Sequence, residues 1–296
     1  MTLKPANLVL ILVVLTAAAL QACAPAVDNS VDTIATAVAA TLAAGEVGET
    51  PPDTPAPPPS PTWTIHPTVT ASPPETNFSY AGVSFFFNDL LADDITAGVT
   101  PGQYDESNTW WSTPDHRVYK FNGWVLSDSF HPPAIRVYPV AEFTAINENV
   151  TAGLNALDAA LKTIPLDGGS LRVPDMFNAG QLYFSNPKAM RFQNGYGARW
   201  LSQYGQAYFP VGKPNLFYTF QGFTNDGLYY VSIILPVNHP SLPATDQVSM
   251  DDAFYEHFPT YAAEIRALLE EQSDNSFMPS LVLLDQLVTS LLVGEP

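Results

Sequence analysis

Two adjacent tryptophans, Trp110 and Trp111, stand in the polar run Ser107-Asn108-Thr109-Trp110-Trp111-Ser112-Thr113. Exposed indoles in such a place stack on sugar rings or anchor a protein partner, whereas buried ones fill the core beneath a long loop. The acids Asp105, Glu106 and Asp115 flank them. A pair of carboxylates about 5 to 10 Å apart beside exposed aromatics would equip a hydrolase of carbohydrate or envelope material. A second set, Arg199, Gln203 and Gln221, places polar side chains inside otherwise apolar strand-like runs. If buried, these need partners, and they either line a polar pocket or pair across strands. Asp93, Asp94, Asp105 and Glu106 would hold calcium if one folded loop gathered them, but no EF-hand pattern surrounds them. The five histidines, His66, His116, His131, His239 and His257, are scattered without zinc-ligand spacing. No His-Glu-x-x-His or Gly-x-Ser-x-Gly occurs, and Gly195-Tyr196-Gly197 falls in a hairpin pattern rather than between a strand and a phosphate-binding helix. No catalytic residue, metal or cofactor is expected from these spacings.

Cys23 is the only cysteine in 296 residues, so no intramolecular disulfide can form. It follows a basic start, Lys4, and an apolar run from Leu8 to Leu20 that is shorter than the roughly 20 residues needed to span a bilayer. The junction Leu20-Gln21-Ala22-Cys23 resembles the lipobox of bacterial lipoproteins, with Gln21 a less usual second residue. That resemblance implies a signal peptide at residues 1–22, cleavage before Cys23, and acylation of the cysteine. The implied partner is the outer face of a membrane, reached through that lipid, and the implied location is the extracytoplasmic envelope.

The charge balance constrains other partners. With 11 basic against 29 acidic residues and a formal charge of −18, nucleic acid is excluded, because phosphate binding is driven by lysine and arginine releasing counterions. No lysine or arginine lies between Cys23 and Arg117. A chain so free of basic residues can lie beside an anionic bilayer without adhering to it.

The elements that position these residues follow from composition and period. Residues 23–45 allow one short helix, and residues 46–75 are rich in proline, threonine and serine, including Pro57-Pro58-Pro59. That composition favours an extended, disordered tether that cannot build a core. Residues 76–296 are expected to form a single globular domain. Strands are predicted over Tyr80 to Phe87 and Ala134 to Val140, and one amphipathic helix between Ala141 and Thr163. Arg191 to Val237 predicts an antiparallel meander, with Asn194-Gly195 at the centre of its first turn. Its last run, Tyr229 to Leu235, is apolar on both faces and should be a central strand covered on both sides. Pro259 is expected in the first turn of a helix reaching Gln272, and Pro279 introduces a second from Leu281 to Val293.

The fold class is therefore α+β, a twisted antiparallel sheet covered by helices as an α/β/α sandwich. The opening strand at Tyr80, the meander, and the closing helix ending Thr289-Ser290-Leu291-Leu292-Val293 resemble the layout of PsbP-like domains. Members of that fold serve mostly as binding or accessory proteins, so the resemblance implies a non-catalytic module meeting an envelope protein or carbohydrate. A hydrolase using the acids near Trp110 and Trp111 is the alternative. A structural envelope protein is a third reading, and it would show a broad exposed apolar patch without a pocket.

Overall fold

The computed structural model describes residues 75–107, 109–163, 165–166, 171–173 and 178–296. Cys23, the signal segment, the short helix and most of the proline-rich tether lie outside the described residues. The described residues gather into one compact unit.

A seven-stranded antiparallel sheet organises that unit. Its strands are β3 (Asp94–Thr100), β4 (His116–Asn122), β5 (Ala134–Pro139), β6 (Gly180–Phe192), β7 (Gly195–Gly205), β8 (Phe217–Thr224) and β9 (Tyr229–Pro236), in the spatial order β3-β4-β5-β9-β8-β7-β6. The apolar run Tyr229 to Leu235 thus occupies the middle of the sheet. Val231, Ile233 and Leu235 face one core, while Tyr230 and Ile234 face the other. The first core receives Ile265 and Leu269 from α3 (Asp252–Glu270) and Leu281, Leu284, Leu287 and Val288 from α4 (Leu281–Ser290). The second receives Phe143 from α1 (Val140–Ile146) and Val150, Leu154 and Leu157 from α2 (Glu148–Leu161). Among the described residues no helix is long and apolar enough to cross a membrane.

Several boundaries differ from the sequence expectations for identifiable reasons. The run Tyr80 to Phe87 is two strands, β1 (Phe78–Tyr80) and β2 (Val83–Phe85), because Ala81 and Gly82 adopt positive φ and turn the chain back. The helix expected from Ala141 to Thr163 breaks at Asn147, whose extended backbone lets its side chain accept from Val150 N at 3.1 Å and cap α2. Pro259 lies inside α3 rather than in its first turn. The helix starts seven residues earlier, where Asp251 accepts from Phe254 N at 3.0 Å. Likewise α4 stops at Ser290, and Leu292–Val293 become β10, which pairs with β2.

The β6–β7 hairpin forms, but Phe192 pairs with Gly195, so the turn residues are Gln193 and Asn194. Gly195 is required for closeness rather than for positive φ: a Cβ there would lie 1.9 Å from the Phe192 ring. The turn then grips the end of the chain. Asn194 exchanges hydrogen bonds with Val293, donating through Nδ2 at 2.6 Å and accepting at Oδ1 at 3.1 Å. Arg117 joins the small sheet of β1, β2 and β10 to the large one. Its buried guanidinium donates to Ala81 O at 2.8 Å and Gly294 O at 2.7 Å and lies 4.5 Å from the Tyr229 ring centroid.

Candidate functional site

The strand registers place two candidate surfaces at opposite ends of the sheet. Thr100 pairs with His116, so the β3–β4 connection carrying the tryptophans leaves from one end. Ala134 with Ile234, Phe217 with Pro236 and Ser202, and Gly180 with Gly205 define the other end.

At the first end, Trp110 and Trp111 occupy a single 3-10 turn, Thr109–Trp111, and are 58% and 51% exposed. The turn is anchored by Asn147, whose Nδ2 donates to Ser112 O at 3.1 Å and Trp110 O at 3.3 Å. One residue thus caps α2 and presents both indoles. The neighbouring carboxylates staple the same loop: Asp115 accepts from Gly102 N at 2.6 Å, and Asp105 accepts from Ser107 N at 2.9 Å. Asp93 and Asp94 lie at the start of β3, the opposite end from Asp105 and Glu106. The intervening seven residues span about 20 Å of strand, so no calcium loop unites these acids. Among the described residues no group of three or more His, Cys, Asp or Glu is placed to hold a metal ion.

Arg199, Gln203 and Gln221 are all buried, but they do not converge on one polar pocket. Arg199, on the α3 and α4 face, donates to Asn186 O at 2.7 Å and Asp274 Oδ2 at 2.8 Å, and its Nε lies 3.4 Å from Asp285 Oδ1. Gln221 points to the other face, where its Nε2 donates to Thr219 Oγ1 at 2.6 Å and its Oε1 accepts from the Tyr230 hydroxyl. Gln203 does contribute to a site, indirectly. Its Nε2 donates to Pro210 O at 3.1 Å and its Oε1 accepts from Gly212 N at 3.2 Å, which fixes the loop between β7 and β8.

That loop is one wall of a cavity of about 840 Å3 at the second end of the sheet. The volume lies within the roughly 300 to 1,000 Å3 range usual for small-molecule sites. Three further ties hold the wall. Val211 N donates to the Tyr261 hydroxyl of α3 at 3.0 Å, Thr245 Oγ1 donates to Lys213 O at 3.0 Å, and Phe130 N donates to Pro214 O at 3.0 Å. The floor is aromatic. His131 meets the Phe217 ring edge-on at 4.7 Å, and Tyr204 stacks on Phe217 at 6.1 Å. The start of β6 closes another side through Asn178 and Ala179, where Asn178 O accepts from Gln206 Nε2 at 2.8 Å. Phe130 and Met250 rise at the rim and are 71% and 52% exposed.

Electrostatically the cavity is nearly bare. Burial, with a smaller contribution from the Arg136 guanidinium, pushes His131 down from 6.5 to about 4, so its imidazole is neutral at physiological pH. Asp246 is then the one formally charged side chain among the described lining residues. Such a site offers apolar contact, a few amide and hydroxyl groups, and one carboxylate. It holds no pair of carboxylates for acid and base roles and no cysteine or serine nucleophile among those residues.

Spacing arguments miss this site because its walls come from five separate segments. The available signal was aromatic residues set beside prolines in loops, Phe130-His131-Pro132-Pro133 and Tyr208-Phe209-Pro210. Large apolar side chains in segments that should be polar mark a surface built for contact. No protein-family model, curated protein or solved structure matches this chain.

Proposed function

We propose that this chain is a lipid-anchored, extracytoplasmic binding module that takes a largely apolar small molecule into the cavity between the β4–β5 and β7–β8 loops. The observation carrying the reading is the cavity itself: about 840 Å3, apolar in its floor and rim, and walled by loops that side-chain hydrogen bonds hold in place. Preformed apolar pockets of this size with few polar groups are the usual form of a small-molecule site. The PsbP-like resemblance agrees with an accessory role, and helices packed on both faces of an antiparallel sheet are compatible with that layout. Nile red, a neutral apolar dye, should occupy one saturable site, with blue-shifted emission on entry. Absence of saturable binding would remove the cavity reading.

The exposed tryptophans favour a second contact at the far end of the sheet, with carbohydrate or an envelope protein. Its place is independent of the cavity, since β4 and β5 separate the two.

The anchor half of the reading rests on the lipobox-like Leu20-Gln21-Ala22-Cys23. Several acyl chains on one cysteine, at about 0.8 kcal/mol per buried methylene, would make release negligible. Cys23→Ala should move the protein out of the detergent-extracted membrane fraction while leaving the melting temperature of the folded domain unchanged. Equal membrane recovery of wild type and variant would contradict acylation at this position.

A further inference from the structure

The cavity has one electrostatic feature that its apolar walls do not require. Asp246 lies at the mouth, exposed, in the 3-10 turn Thr245–Gln247 that also ties down the β7–β8 loop through Thr245. Among the described residues it forms no ion pair. The basic side chain closest in sequence on the facing loop, Lys213, has its ammonium 3.8 Å from Asp128 instead. Asp128 itself is exposed and adds negative charge on that side. Arg136 of β5 acts on His131 from outside the lining; no described lining residue carries a positive charge to meet an anionic head group, and the whole chain is acidic, with a formal charge of −18.

We infer that the ligand is a cationic amphiphile, its apolar body in the cavity and its positively charged end at the Asp246 carboxylate. The inference rests on the cavity being the ligand site. An anion, such as a fatty acid carboxylate, would bring its charge against Asp246 with no lysine or arginine in the lining to offset it. A neutral alcohol would gain the apolar contact alone. The carboxylate is solvated, so its discrimination is modest and salt-sensitive.

Three probes sharing one chain separate these cases: decyltrimethylammonium, decanol and decanoate, each below its aggregation threshold, titrated calorimetrically at neutral pH and low salt. The expected order is ammonium over alcohol over carboxylate, each step about two- to fivefold, the range for a solvent-exposed charge pair. Asp246→Asn should collapse the three affinities toward that of the alcohol, with an unchanged melting temperature showing that the fold is intact. Raising the salt concentration should compress the order in the wild type. Decanoate binding as tightly as the ammonium, or an order that survives Asp246→Asn, would overturn the inference while leaving the cavity as a binding site. Failure of all three probes to bind would remove the cavity reading and the inference with it.

Discussion

Asp285→Ala is expected to destabilise the domain by about 3 to 5 kcal/mol, the usual cost of removing one partner from a buried ion pair. Asp285 sits on α4 with little exposure and serves three groups at once. It accepts from the Tyr218 hydroxyl at 3.1 Å, lies 3.4 Å from Arg199 Nε, and accepts from Lys188 Nζ at 2.7 Å. The Lys188 contact contributes little, since that ammonium is half exposed. The cost comes from Arg199, whose side chain is 4% exposed. Asp274 alone would remain to balance it, at 2.8 Å. Tyr218 is fully buried, and its hydroxyl is held well above the ordinary tyrosine range by that burial and by the Asp285 carboxylate, so it too would lose its carboxylate acceptor and keep only Met190 Sδ at 3.8 Å. For a domain of this size the loss corresponds to a fall in melting temperature of roughly 10 °C. Asp285→Leu combined with Arg199→Leu should be much less damaging than the sum of the single changes, because both charges leave together. Additive losses in that double variant would mean that the two residues do not act as a pair.

Stability is also expected to fall steeply in mild acid, with His131 a main cause. Its folded value of about 4 lies below its ordinary value of 6.5. The sign follows from which state takes the proton first. As pH drops through 6.5 the unfolded chain binds a proton that the folded chain refuses, so the contribution of His131 is intact above 6.5 and is lost progressively down to about 4. The loss approaches about 3 kcal/mol at the lower end. His116, stacked on Tyr138 at 4.5 Å and lowered chiefly by burial, acts in the same direction. Both imidazoles are held down further by the positive charge of Arg136. Chemical denaturation of wild type and His131→Gln between neutral pH and the acid limb tests this. The variant should start less stable, having lost aromatic packing on Phe217, but its stability should change less with pH. Parallel curves for the two proteins would show that His131 titrates normally.

How much of this was legible in the sequence depended on whether one segment carried the signal. Tyr229 to Leu235 declared itself central because every residue is apolar or small, and it lies in the middle of the sheet. The helices α3 and α4 were visible through their apolar period. Strands β3 and β4 were not visible. β3 is an exposed edge containing Thr96-Ala97-Gly98, and β4 carries His116, Arg117 and Lys120, so neither reads as an apolar alternation. Arg199, Gln203 and Gln221 stood out as polar residues in buried strands. Their roles depend on partners far along the chain, such as Asp285, or on the other side of a loop, such as Gly212. The cavity was least legible of all, since Phe130, Ala179, Tyr204, Phe209 and Met250 come to line one space only after the strands have set their ends together.

The central claim is that this cavity, and not the tryptophan turn, is where an apolar ligand binds. The most direct measurement is Nile red titration of three proteins: wild type, Ala179→Trp, and the double variant with Trp110→Ala and Trp111→Ala. Ala179 lines the cavity beside the start of β6, where an indole would occupy the ligand's space. One saturable site in the wild type, abolished by Ala179→Trp and retained in the double tryptophan variant, is the predicted result. Binding that survives Ala179→Trp and disappears with Trp110 and Trp111 would contradict it.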